Sequence, residues 1–189
     1  LPKKADTPVI GMVTRLVKHK GIDLVKCVFE ELLQKDVQFA ILGSGEWEFE
    51  TFLHEMSKKY PEKVGLKLGF NPQLAHRIYA GADIFLMPSQ SEPCGLAQMV
   101  ALRYGTIPIV RETGGLKDTV QAYDEYAKTG TGFSFTNYNA HEMLDRVRYA
   151  EEIYYNKKRD WNKMIERAMN EDFSWGTSAK QYEDLYNQV

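Results

Sequence analysis

Short apolar runs alternate with stretches of helical periodicity along most of the chain. Residues 8–14 read as a buried strand, followed by a helix over 22–33. Residues 37–42 form a second strand pattern, closed by Gly43-Ser44-Gly45, and a helix follows over 47–59. A third strand (64–69), a short helix (72–80), a fourth strand (83–87), a helix (96–104), a fifth strand (106–110) and a sixth (131–135) continue the pattern. From Asn139 the chain reads as helical to its end. The strand runs lack strict polar alternation, which suits strands covered on both faces. Strand–helix alternation with short loops predicts an α/β fold: a doubly wound, parallel, Rossmann-like sheet in one domain spanning 1–189.

Composition narrows the function. The 189 residues are 43% hydrophobic and 26% charged, with a net charge of −2. That balance gives no electrostatic grip on nucleic acid or a membrane surface. The apolar runs are far too short to span a bilayer. No signal-peptide pattern and no initiator Met are present, and an opening of Leu1-Pro2-Lys3-Lys4 suggests a fragment of something longer. Cys27 lies within an apolar helical pattern and is expected in the core; two distant cysteines suit a reducing compartment. His19, His54, His76 and His141 show no metal-ligand spacing, so neither a metal nor a cofactor is expected.

A doubly wound sheet binds ligands in the loops beyond the carboxyl ends of its strands. After the first strand, Arg15 and Lys20 offer a rigid fork and a mobile point charge, a pairing that suits a diphosphate. A solvated basic turn fits the same spacing equally well. Gly43-Ser44-Gly45-Glu46 reads as a tight turn more readily than as a ligand loop. Phe70, after the third strand, is of a type that either stacks on a base or packs in the core. After the fourth strand, Glu92 precedes Pro93-Cys94-Gly95-Leu96 at a helix entry, where unpaired amides favour an anion. Glu92 could accept hydrogen bonds from sugar hydroxyls or simply complement the helix dipole. Cys94 has no evident base beside it to make it a nucleophile. Thr113-Gly114-Gly115, after the fifth strand, permits close backbone approach to a ligand or a structural turn.

Together these loops resemble a known pattern. Thr14-Arg15-Leu16 with Lys20-Gly21-Ile22-Asp23-Leu24 is similar to the phosphate loop of retaining glycosyltransferases of the two-domain GT-B fold. Ser89-x-x-Glu92-Pro93-Cys94-Gly95-Leu96-x-Gln98, with Ala101-Leu102-Arg103-Tyr104-Gly105 and Thr113-Gly114-Gly115-Leu116-x-Asp118-Thr119-Val120, resembles bacterial glycogen synthases and plant starch synthases, glycosyltransferase family 5. Many GT-B transferases carry a second Glu eight residues after the first; Val100 stands there, as in the synthase group. Phe173-Ser174-Trp175 and Tyr182-Glu183-Asp184-Leu185-Tyr186 resemble the end of the same family.

The resemblance implies the C-terminal, donor-binding half of a GT-B enzyme, with the N-terminal acceptor-side domain absent. It implies ADP-glucose as donor, ADP as product, an α-1,4-glucan acceptor, transfer with retention, and a cytoplasmic protein (plastidic in a plant). Arg15 and Lys20 would hold the diphosphate and Glu92 the glucose hydroxyls. The amides of Cys94, Gly95 and Leu96 would line the sugar and phosphates, beside Thr113, Gly114 and Gly115. Phe70 stands where the family commonly has a Tyr against adenine, and Ala97 where Thr is common. A GT-B transferase of other specificity, or a non-catalytic nucleotide-sugar or glucan-binding module, is the alternative the residues leave open.

Overall fold

A computed structural model describes residues 1–188. Six strands, β1 (Val9–Val13), β2 (Gln38–Gly43), β3 (Val64–Leu68), β4 (Ile84–Met87), β5 (Ile107–Arg111) and β6 (Phe133–Phe135), form one sheet in the order β3-β2-β1-β4-β5-β6. Every neighbouring pair is parallel, with Ile10 opposite Phe39 on one side and Ile84 on the other. All four residues of the central strand β4 are buried, which explains its unbroken apolar run. The edge strand β3 is half solvated, and its later residues are exposed.

Helices α1 (Ile22–Leu32), α2 (Trp47–Lys59), α3 (Pro72–Gly81) and α4 (Ala97–Tyr104) fall within a residue or two of their expected places. Asn71 caps α3, accepting from the Leu74 amide at 2.9 Å, with Pro72 at the first helical position. Helices connect the parallel strands and flank the sheet, and the winding reverses between β1 and β4. A short helix, α5 (Gly114–Thr119), stands where the sequence suggested only a glycine turn.

The helical C-terminal stretch is divided into three helices: α6 (Ala140–Asn156), α7 (Lys158–Met169) and α8 (Trp175–Tyr186). The first break, at Lys157, turns α7 back so that Trp161, 1% exposed, enters the core against Phe133 and Tyr154. The second falls at residues 170–174. There Asp172 accepts from the Ser174 amide, and the Ser174 hydroxyl caps α8 by accepting from Thr177. No residue of α8 is buried.

Cys27 corrects a second expectation: it is exposed. The buried face of α1 runs through Ile22, Val25, Val28, Phe29 and Leu32. At about 100° per residue, position 27 falls outside that stripe despite its apolar neighbours.

Candidate functional site

Because all six strands are parallel, their carboxyl ends meet along one rim, and the winding reversal opens a crevice between the loops after β1 and β4. Arg15 and Lys20 stand in the first loop and Glu92 in the second. Across the crevice Lys20 Nζ donates to Glu92 Oε2 at 2.5 Å, with side chains only 18% and 11% exposed. The Ser89 hydroxyl donates to the same oxygen at 3.4 Å. Arg15 is exposed, and its guanidinium lies 3.3 Å from His19 Nε2. One cation is therefore already neutralised, and the other is presented to solvent.

Local geometry explains why the loops take these paths. Lys18–Lys20 make one turn of 3-10 helix that ends on Gly21 at φ 80°. That left-handed conformation, and a Pro88 carbonyl 2.2 Å from where a Cβ would sit, restrict the position to glycine. The Gln90 amide then donates to the His19 carbonyl at 2.9 Å, tying the β1 loop to the β4 loop.

Gly114 and Gly115 are used in the same way. Their Cβ positions lie 2.3 Å from the Glu92 carbonyl oxygen and 2.1 Å from that of Cys94. The Gly115 amide donates to the carbonyls of Glu92 and Pro93 at 3.2 and 3.1 Å. The close approach that this pair permits is made to the Glu92-bearing loop. Thr113 is the residue before α5, and its hydroxyl caps nothing. Gln98, fully buried, places its two Nε2 hydrogens among the carbonyls of Cys94 and Gly95 and the Thr119 hydroxyl, all within 3.0 Å. Cys94 and Leu96 are exposed on the crevice-side entry to α4, and the Cys94 thiol lies 3.6 Å from the Gly95 carbonyl.

Phe70 is 92% exposed, so packing does not account for it. It borders a cleft of about 250 Å³ at the ends of β1, β2 and β3, lined also by Val13, Arg15, Leu42 and Ala75. This largely apolar hollow therefore runs directly into the guanidinium. The Gly43-Ser44-Gly45 stretch is taken up by contact with the neighbouring loop: the Leu16 amide donates to Ser44 and the Glu46 amide to Leu16.

Two residues that sequence reasoning left without a role organise the rest. Arg111, the last residue of β5, donates to the carbonyls of Ser89 (3.0 Å), Thr136 (3.2 Å) and Gln90. Its guanidinium also faces the Tyr138 ring at 5.9 Å. The Tyr138 hydroxyl donates to Asp23 at 2.5 Å and lies 3.0 Å from the Lys18 carbonyl. Burial, then the bond to Asp23, pushes that phenol well above its usual range. An arginine ending an otherwise apolar strand was the one signal available in the sequence.

Among the described residues no group of three or more His, Cys, Asp or Glu is placed to hold a metal. Nor is any helix among them long and apolar enough to cross a membrane.

Comparison with known proteins places the crevice in context. The family described as "Glycosyl transferases group 1" matches residues 1–169. The chain is 59% identical, over all 189 residues, to a glycogen synthase of Bacillus cereus (strain ATCC 10987), and 57% identical to that of Geobacillus thermodenitrificans. It spans 40% and 39% of their lengths, respectively. The catalytic domain of starch synthase IV from Arabidopsis thaliana, bound to ADP and acarbose, superposes with a TM-score of 0.87 at 36% identity, over 98% of this chain and 39% of that one.

Proposed function

The chain belongs to the group 1 glycosyl transferases, and from that premise we propose that it is the C-terminal, donor-binding half of a glucosyltransferase. The full enzyme transfers glucose from ADP-glucose to the non-reducing end of an α-1,4-glucan with retention. The other half, on the N-terminal side, supplies the acceptor surface, and the enzyme works in the cytoplasm. The likeness to glycogen synthases and to a starch synthase holding ADP and acarbose supports this donor and acceptor.

The observation that carries the reading is the convergence of Arg15, Lys20 and Glu92 at the winding reversal, beside the cleft bordered by Phe70. Phe70 stacks on the base. Arg15 and Lys20 take the diphosphate, and Glu92, with the amides of Cys94, Gly95 and Leu96, takes the sugar. Thr113, Gly114 and Gly115 support the sugar-side loop. Transfer leaves negative charge on the departing diphosphate, and fixed cations that stabilise this charge lower the barrier most. No metal is needed in this scheme, because the two basic side chains occupy that role. Half a site holds the donor without positioning an acceptor, so the 189-residue chain alone does not elongate glucan.

Calorimetry with ADP, ADP-glucose, UDP-glucose and maltooligosaccharides tests this. ADP and ADP-glucose are expected to bind, and Arg15→Ala to weaken ADP by about 1.5–3 kcal/mol, the value of a charge-assisted contact. Unchanged ADP affinity in Arg15→Ala would reduce the loop to a solvated turn. Binding of maltooligosaccharide alone would favour a glucan module.

A further inference from the structure

We propose that Lys20 and Glu92 form an exchangeable ion pair through which the site distinguishes the intact nucleotide-sugar from the product nucleotide. This inference rests on the donor-site reading above. The two residues are 72 apart in sequence, yet their charged ends meet at 2.5 Å with little solvent access. An ammonium group donates and cannot accept, and a carboxylate does the reverse. The ligand-free crevice is therefore internally satisfied: Glu92 occupies Lys20 as a built-in anion. Among the described residues Arg15 has no carboxylate partner, and it is open to a ligand as it stands.

A diphosphate competes with Glu92 for the charge of the Lys20 ammonium, one of whose three donors is committed to the carboxylate in the free crevice. Where the lysine swings toward the phosphate, the mostly buried carboxylate keeps the weak Ser89 contact and a more distant counter-ion, the costlier state for such a group. ADP alone offers Glu92 nothing in return. ADP-glucose carries hydroxyl donors next to the diphosphate, and these can hydrogen-bond the released carboxylate. The pair thus penalises the product more than the donor and favours release of ADP after transfer. Glu92 is the specificity-determining residue, acting on the nucleotide through Lys20 and on the sugar by contact.

The test is a double-mutant cycle. Wild type, Glu92→Gln, Lys20→Gln and the double variant are titrated with ADP and with ADP-glucose at fixed ionic strength. Glu92→Gln is expected to tighten ADP roughly two- to tenfold, the lower part of the range for coupled neighbours, and to leave ADP-glucose unchanged or weaker. In the Lys20→Gln background most of the ADP gain disappears. Glu92→Asp, which keeps the charge and shortens its reach, falls between wild type and Glu92→Gln and serves if the glutamine variant does not fold. Equal gains with and without Lys20 overturn the exchange in favour of plain repulsion between Glu92 and phosphate. Weakened ADP binding in Lys20→Gln with no gain in Glu92→Gln overturns it too, and leaves the donor site standing. If neither Arg15→Ala nor Lys20→Gln changes ADP binding, the donor-site reading fails and the exchange with it.

Discussion

Adding a single methyl group at Gly115 tests whether the glycine pair serves the loop rather than the ligand. In Gly115→Ala the new Cβ would lie 2.1 Å from the Cys94 carbonyl oxygen, 2.6 Å from its Cα and 2.7 Å from its carbonyl carbon. These are backbone atoms, with no flexible tip to swing aside. Moving from 2.1 Å to the 3.4 Å of ordinary contact requires about 1.3 Å of retreat. The retreating segment carries Glu92, and it is held by the Gly115 amide itself and by Gln98. Overpacking of this kind costs about 1–3 kcal/mol. For a domain of this size each kcal/mol lowers Tm by about 2–4 °C, so a fall of roughly 2–12 °C is expected. ADP-glucose affinity should fall as well, because the sugar-side loop is displaced. Gly81→Ala is the control: nothing lies within 4 Å of its Cβ position, and alanine gains up to about 1 kcal/mol over glycine in a helix. Calorimetric melting with donor titration reads both effects. A Gly115→Ala chain that melts within about one degree of wild type and binds donor unchanged would refute the reasoning.

Two further outcomes follow from residues at either end of the fold. Phe70→Ala should weaken ADP by about 1–3 kcal/mol, as loss of a base-stacking ring does, with pyrophosphate binding and Tm unmoved because the ring is 92% exposed; a lowered Tm with intact ADP affinity would make Phe70 structural. Burial in α6 pushes the Glu151 carboxyl up to about 7 from 4.5, against the pull of Lys35 and Arg148. Between those values the unfolded chain releases a proton that the folded chain keeps, so stability falls as pH rises through that window, by up to about 3 kcal/mol. Glu151→Gln should therefore raise Tm at pH 8 and leave it near wild type at pH 4, and equal shifts at both pH values would contradict this.

The strands and helices were legible because burial on both faces writes unbroken apolar runs, and because Asn71-Pro72 and Gly105 punctuate the helices between them. The helix α5 was hidden because Gly114-Gly115 reads as a turn, and its place depends on contacts distant in sequence, with the Glu92 loop, with Gln98 and through buried Leu116. Cys27 was misplaced because an apolar segment does not reveal its own phase; the sheet below it does. For Phe70 the residue type alone favoured the core over stacking, and exposure decides against the core. Arg111 and Tyr138 were out of reach because their contacts depend on which strands are neighbours. The carbonyls that Arg111 holds lie in the loops after β4 and β6, and Tyr138 reaches the segment leading into α1.

That adjacency also explains why the crevice can be rigid before anything binds. β1, β4 and β5 are separated in sequence by whole helices and lie side by side in the sheet. Their loops are cross-tied by main-chain and arginine bonds: Gln90 to His19, Gly115 to Glu92, and Arg111 to Ser89. These bonds are made to backbone carbonyls, so they fix the path of each loop without engaging the side chains of Arg15, Lys20 and Glu92. A scaffold ordered in this way spends little binding free energy on loop ordering. The one adjustment left is at the tips, where a flexible lysine stem can swing its ammonium from a carboxylate to a phosphate while the loops stay still. Sensitivity to ligand chemistry is thereby concentrated in the Lys20–Glu92 contact, the only ion pair that bridges the crevice among the described residues.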